Sequence, residues 1–211
     1  MKQINHLLAF LLALLFFSFC GKEANKQKTE IVVKNAEPSK ADVNRTNESS
    51  SILDIREKYQ SIEKANLQEK KVPLQCEMGE SKLSLFYQDR MLKKIVYEIG
   101  ADHGHNSYSL YFHDEKIFFA YIQGSSWHFI SENNTIDTLS QERYYFVSDK
   151  PIRCLKKEVR GKEDLEKKLA KATNATIKDC SAQNTKVKLV LEIIADVKNA
   201  YQKNDFSNLC L

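Results

Sequence analysis

The chain has 211 residues, 42% of them hydrophobic and 28% charged, with a formal charge of +4 at pH 7. That is enough apolar residue for a core, and the acidic and basic residues are interleaved along the chain, with no basic block and no acidic tail. Composition therefore excludes a disordered chain, and charge excludes the linear basic signature of a nucleic-acid binder.

The first element is an export signal. Lys2 supplies a positive start, and Leu7–Phe19 is a nearly unbroken apolar run that ends at Cys20. Such a run matches the apolar centre of a signal peptide and is short for a membrane-spanning anchor, which needs ~20 apolar residues. With Cys20 directly after the run, residues 1–23 resemble bacterial lipoprotein precursors, in which that cysteine is acylated and becomes the mature N-terminus. The match departs from the usual pattern at Phe19, where Gly, Ala or Ser is normal; ordinary secretory cleavage close by is the rival reading. The resemblance implies a protein exported to the cell envelope and lipid-anchored, on the periplasmic or the surface side, with the membrane as partner through the lipid.

Residues 21–51 are polar, charged and poor in aromatics, and read as a flexible tether. Residues 52–211, about 160 in number, then form one globular domain. Five cysteines are an odd count for an exported chain. Setting Cys20 aside leaves Cys76, Cys154, Cys180 and Cys210, enough for two disulfides in an oxidising compartment. The preferred pairing is Cys76–Cys154 with Cys180–Cys210, each bridge bracketing one block of structure. There is no CxxC, so a zinc or thioredoxin-type reading is weak. The N-x-S/T triplets at Asn44, Asn47, Asn133 and Asn174 are polar loop residues in a bacterium.

Ser51–Leu67 predicts an amphipathic helix. Ile52, Ile55, Tyr59 and Ile62 recur at helical spacing, and the serine run Ser49–Ser51 offers N-caps. Residues 80–156 are β-rich. Strands are expected at Lys82–Tyr87, Met91–Ile99, Asn106–Phe112, Lys116–Ile122, Arg143–Val147 and Pro151–Leu155, dominated by Tyr, Phe, Ile and Val. Short polar connections, Gln88-Asp89-Arg90, His113-Asp114-Glu115 and Ser148-Asp149-Lys150, join them as hairpins. The three hairpins FYQDRML, YFHDEKI and YFVSDKPI form a weak internal repeat at irregular spacing, the third with one extra residue that predicts a bulge or longer turn.

With Ile55, Arg56, Tyr59 and Ile62 followed by Tyr87, Asp89, Leu92, Lys94 and Ile95, and later by Tyr111-Phe112, Arg143–Phe146 and Ile152-Arg153, residues 52–156 resemble a broad group of uncharacterised bacterial exported proteins and lipoproteins. In that group an "IR-x-x-Y-x-x-I" helix precedes "Y-x-D-G-x-L-x-K-I" hairpins. The glycine of the pattern is Arg90 here. The resemblance implies a fold and carries no agreed activity.

The chain ends in helices. Lys162–Ala172 is short and charged, with Glu163/Lys167 and Asp164/Lys168 at i,i+4 spacing. Thr185–Tyr201 carries an apolar face of Val187, Val190, Leu191, Ile194, Val197 and Tyr201, widened by Leu189 and Ile193. The expected fold is therefore α+β: a single antiparallel β-meander of about six strands packed with an N-terminal helix and C-terminal helices.

Candidate chemistry is sparse. Asp102-His103-Gly104-His105, with His113 and His128 nearby, would suit zinc or copper if a third ligand converged on His103 and His105; as a polar loop it needs no ligand. No GxSxG, P-loop or dinucleotide fingerprint is present, Ser125-Ser126 lacks a strand-turn-helix context, and the pair Glu98 and Asp102 is not selected by spacing. No catalytic residue and no cofactor are expected. Alternation in Asn106–Phe112 puts Tyr108, Leu110 and Phe112 on a face for helices, and Ser107, Ser109 and Tyr111 on a wetter face where Tyr111 or Trp127 would meet a ligand.

Three functions suit this reading. The first is a non-enzymatic binding or structural module of the envelope that takes a protein or glycan through its sheet or loops. The second is a periplasmic inhibitor of a lysozyme-like hydrolase, because Cys76–Tyr87 (CEMGESKLSLFY) resembles the Cys-x-x-Gly start and alternating strand of some lysozyme inhibitors. The third is metal binding through His103 and His105.

Overall fold

The computed structural model describes residues 40–74, 76 and 80–210. The signal segment, Cys20 and residues 21–39 of the expected tether lie outside them. Among the described residues no helix is long and apolar enough to cross a membrane.

Among the described residues the chain is α+β, with one antiparallel sheet of eight strands in sequential order and three helices. Helix α1 (Lys40–Lys64) leads into β1 (Gln68–Val72), β2 (Glu80–Gln88), β3 (Met91–Ala101), β4 (Gly104–His113), β5 (Lys116–Ser131), β6 (Asn134–Val147) and β7 (Lys150–Gly161). Helix α2 (Leu165–Lys171), β8 (Ala175–Thr176) and α3 (Thr185–Lys203) complete it. The meander expected from sequence is present, with eight strands in place of about six. The additions are β1 and β8, one at each edge. Helix α1 starts at Lys40 and runs through Ser49–Ser51, which were expected to cap it. Serine is a middling helix former and not a stop signal.

Each face of the sheet carries a core. On one, Ile52, Ile55 and Ile62 of α1 pack on Tyr111, Phe118, Phe119, Tyr145 and Leu155. On the other, Val187, Val190, Ile193, Ile194, Val197 and Ala200 of α3 pack on Leu83, Leu85, Ile95, Tyr97, Tyr108, Leu110, Phe112 and Tyr144, among others. The period-2 alternation of β4 separates the two sets, sending Leu110 and Phe112 to α3 and Tyr111 to α1. Tyr111 is thus not the ligand-facing residue expected: it is 1% exposed, and its hydroxyl donates to Glu63 Oε1 at 3.0 Å. Helix α3 is capped at both ends. The Asn184 side chain accepts from Lys186 N, and Asn204 closes the last turn in the left-handed region at φ 49°.

The three hairpins share one geometry. Gln88 pairs with Met91, His113 with Lys116, and Val147 with Lys150, so each turn holds two residues. All six turn residues have positive φ, from 48° at Asp114 to 65° at Arg90, as a type I′ turn requires. Each exit strand then carries one unpaired residue at the same offset: Lys93, Phe118 and Ile152. The third hairpin has no extra residue; YFVSDKP superposes on YFHDEKI with its aspartate one place later. The bulge common to all three increases twist and turns Phe118 toward α1 beside Phe119. Arg90, where the resembled pattern has glycine, occupies the left-handed region. Arg90→Gly is expected to raise stability by about 0.5–1 kcal/mol, read from the urea midpoint, since a non-glycine residue there costs about 1 kcal/mol or more.

The disulfides pair Cys76 with Cys210 (Cα–Cα 5.1 Å) and Cys154 with Cys180 (Cα–Cα 5.6 Å), which corrects the expected connectivity. Strand order explains both pairs. Cys154 lies in β7 and Cys76 follows β1, near opposite edges of the sheet. A bridge demands Cα atoms within about 7 Å. The short β8 pairs with β7, and Ile177 N donates to Cys154 O at 2.9 Å, which draws Cys180 to Cys154. At the other end of α3, the Tyr97 hydroxyl donates to the Leu209 carbonyl and holds the terminus where Cys76 meets Cys210. Two bridges suit a protein folded in an oxidising, non-cytoplasmic compartment.

The tyrosine-rich core sets a pH limit. Burial pushes Tyr111 and Tyr144 far above the ordinary tyrosine range, reinforced by the carboxylates of Glu63 and Glu142 respectively. Burial raises Tyr87 to about 12, with Tyr201 adding to it. Unfolded tyrosine ionises near pH 10, so above that pH the folded chain holds more protons than the unfolded one, and stability falls as pH rises. Urea midpoints are expected to be level at pH 8–9 and lower at pH 11. An unchanged midpoint at pH 11 would contradict the burial of these hydroxyls.

Candidate functional site

Both long helices cover the half of the sheet nearest the three type I′ turns. Beyond them the strands continue toward the opposite turns, Asp102-His103 and Glu132-Asn133, and their side chains become polar. On the α1 side the register aligns one residue from each of six strands: Lys82, Glu98, Ser107, Gln123, Gln141 and Lys157. At about 4.8 Å per strand this ladder is about 24 Å long. The next row holds His105, Ser125 and Leu139. Among the described residues, Glu98, Ser107, Gln123, Ser125 and Gln141 make no side-chain hydrogen bond to protein. Their donors and acceptors are left for an outside partner.

One wall is built by α2. Its buried Leu169 is seated over β6 and β7, and Lys157 Nζ donates to the Leu169 carbonyl at 2.7 Å, adding to the long bond that carbonyl accepts from Ala172 N at the helix end. Glu166, Leu169 and Ala170 face Ser107, Gln123, Ser125 and Gln141 across an open cavity of about 480 Å³. The chain before α2 turns at Asp164, which has positive φ and whose side chain accepts no capping hydrogen bond; an ion pair with Lys167 at 3.2 Å occupies its carboxylate.

The far end is aromatic. Gln123, Ser125 and Trp127 alternate along β5 and so share a face. Trp127 N donates to His103 O at 3.0 Å, and the two rings lie 4.3 Å apart. Phe129 meets Trp127 edge to face at 5.3 Å. Phe129 is 61% exposed and Ile130, the unpaired residue of a bulge, 55%. The hairpin of β5 and β6 thus ends in an apolar tip bordering the polar ladder.

The residues singled out from sequence are scattered among these features. His103 is the second residue of a turn and packs its ring at a tilt against Trp127; His105 lies in β4 beside Glu98. His113 is at the opposite end of β4, 3.5 Å from Asp114, and alternation sends His128 to the face opposite Trp127. The four histidines do not converge, and among the described residues no group of three or more His, Cys, Asp or Glu is placed to hold a metal. Ser125 and Ser126 are consecutive in β5 and point to opposite faces. Glu98 and Asp102 border a second open cavity with Glu80, Lys82 and His105. Gln123 and Gln141 escaped sequence reasoning. The signal that identifies them is register: once the turns at Asp114-Glu115 and Glu132-Asn133 are placed, pairing carries both to the Ser107 row.

No family model matches the chain, and neither a curated protein nor a solved structure matches it.

Proposed function

We propose that the protein is a non-enzymatic binding module of the bacterial cell envelope, carried on a lipid at Cys20, that takes a neutral glycan on the uncovered half of its sheet. The observation that carries this reading is the patch of unpartnered amides and hydroxyls at Ser107, Gln123, Ser125 and Gln141, which continues along β5 to the Trp127–His103 pair. A pyranose ring offers hydroxyls around its rim and C–H groups on its faces. An extended polar strip with an aromatic plate at one end complements both. The two carboxylates at the cavity, Glu98 and Glu166, disfavour an anionic chain.

Peptide capture by strand addition is the competing mode, and the sheet edges oppose it. β1 is short and presents Lys70 and Lys71, while β8 has two residues. Charged, brief edges are how sheets resist a further strand.

Replacing Gln123 and Gln141 together by Ala is expected to weaken binding of soluble chito-oligosaccharides, a neutral N-acetylated glycan, by about tenfold or more, for two hydrogen bonds near 1 kcal/mol each. Titration calorimetry reads the effect. Equal affinity in a folded double variant rejects the assigned surface.

A further inference from the structure

Charges that are interleaved in sequence become sorted in space on the other side of the polar ladder. Where α1 crosses β6 and β7 two cavities adjoin. The first, about 350 Å³, lies between α1 and the sheet and is lined by Arg56, Gln60, Arg143 and Asn174 over Tyr59, Tyr121 and Phe119. The second, about 470 Å³, is lined by Arg56, Arg153 and Lys178. Arg56 is common to both. No aspartate or glutamate lines either cavity, and none of these four cations is in an ion pair among the described residues.

The carboxylates that approach are elsewhere engaged or directed. Asp54 pairs with Lys58 at 2.8 Å, and Glu63 with Lys94 at 2.8 Å and the Tyr111 hydroxyl. Glu57 and Asp179, sequence neighbours of Arg56 and Lys178, line neither cavity, and Asp179 accepts from Ser181.

Arg143 is the centre of the arrangement. It is half-buried, lies over the Tyr121 ring at 5.1 Å, and donates through Nη1 to Asn174 Oδ1 at 2.7 Å. A guanidinium has five N–H donors. One neutral acceptor and one ring face leave most of that fork without a partner and the charge without a counter-ion. Its field is felt nearby: Lys157 is pushed below the ordinary lysine range, chiefly by burial and next by Arg143. Partly burying a charge without a counter-charge costs stability.

We propose that this groove is a binding site for an organic phosphate, with the phosphate between Arg143 and Arg56 and an apolar body against Tyr59, Tyr121 and Phe119. A tetrahedral head accepts hydrogen bonds in several directions at once. It can use two guanidiniums with the amides of Gln60 and Asn174, whereas a planar carboxylate is filled by one guanidinium fork. The aromatic floor supplies most of the contact area for the body, in the usual pattern of a mainly apolar pocket with a few fixed polar groups. Arg153 and Lys178 in the adjoining cavity extend the positive field beyond the head. The site is separate from the polar ladder, and neither its existence nor its test depends on glycan binding.

Two sources would present this chemistry, a soluble phosphate monoester and the headgroup of a membrane phospholipid. The experiment separates them. Phenyl phosphate and benzoate are titrated into the purified protein by calorimetry, and vesicles of phosphatidylcholine with and without phosphatidic acid are tested by co-sedimentation. The expected result is saturable binding of phenyl phosphate, or of phosphatidic acid vesicles alone if the source is a lipid. Binding should be at least about tenfold weaker in Arg143→Gln and in Arg56→Gln, as loss of a charge-assisted hydrogen bond implies. Arg56 is on an exposed helix surface, so its variant keeps the test valid if Arg143→Gln does not fold. Binding of neither phosphate probe would overturn the proposal, as would benzoate binding as tightly as phenyl phosphate, or phosphate binding undiminished in a folded Arg56→Gln variant.

Discussion

Replacing Cys76 and Cys210 together by Ala is expected to cost about 4–5 kcal/mol of stability, the largest single effect in this chain. The two residues are separated by 134 positions, and the bridge closes a loop that holds β2 through α3, with α1 and β1 outside it. In the chain-entropy account a loop of about 100 residues is worth about 4.7 kcal/mol, because the unfolded chain loses the freedom to separate its ends. Domains of this size have only about 5–15 kcal/mol in total. The bridge also keeps Leu209 buried beneath the Tyr97 hydroxyl, so its loss frees the terminus and exposes part of the α3-side core. The bridge from Cys154 to Cys180 spans 26 positions and is worth about 3–3.5 kcal/mol by the same reasoning. Urea unfolding of each Ala pair measures these losses. A loss under about 1 kcal/mol for Cys76 and Cys210, or a peptide map joining Cys76 to Cys154, contradicts the fold described.

Ile95→Ala is expected to cost about 3–4 kcal/mol. Ile95 is fully buried in β3, flanked in register by Leu85 and Leu110, beneath the apolar face of α3. Removing its outer carbons loses transfer free energy and leaves a cavity, and such truncations span about 2–5 kcal/mol. The paired strands on either side prevent collapse into the space, which places this site in the upper part of that range. Leu189→Ala is the matched control. It lies on α3, but 58% exposed, and its truncation should stay within about 0.5 kcal/mol. Equal losses at the two positions would mean that α3 packs by another face.

The contrast between Ile95 and Leu189 shows where the sequence is legible. The α+β class, the antiparallel meander and the faces of α1 and α3 follow from alternation and helical spacing, because burial on one side leaves a period in the sequence. Leu189 was read as widening the α3 face; Leu at that spacing is permitted in the stripe but is not drawn into it here. Strand β1, QEKKV, is exposed at four of five positions and so has no period to read. The same holds for the outer half of β5 and β6. Gln123–Ser131 is mostly exposed and Asn134–Glu142 is half-buried at nearly every position, so neither stretch has one buried side to leave an alternation, and the sequence reading makes both strands too short.

That difference matters for the proposed function, because the surface assigned to it lies where the pattern fades. His103, His105 and Trp127 stood out by residue type. Gln123, Gln141 and the basic groove of Arg56, Arg143, Arg153 and Lys178 did not, since pairing register and the crossing of α1 bring them together from distant positions. A charge pattern that is interleaved along the chain carries a positive cleft on one part of the α1 face and a polar strip of mixed charge on another. The disulfide pairing was illegible for a related reason. It depends on β8, two residues long, which carries Cys180 to Cys154.

The most direct test uses the chain's single tryptophan. Trp127 borders the polar ladder and is half-buried against His103, so its fluorescence reports occupancy without a label. Titration with soluble chito-oligosaccharides is expected to shift and saturate its emission, with the response growing with chain length until the strip along β5 from Gln123 to Trp127 is spanned. Emission unchanged throughout the titration, together with no heat of binding, would contradict a glycan site on the uncovered half of the sheet.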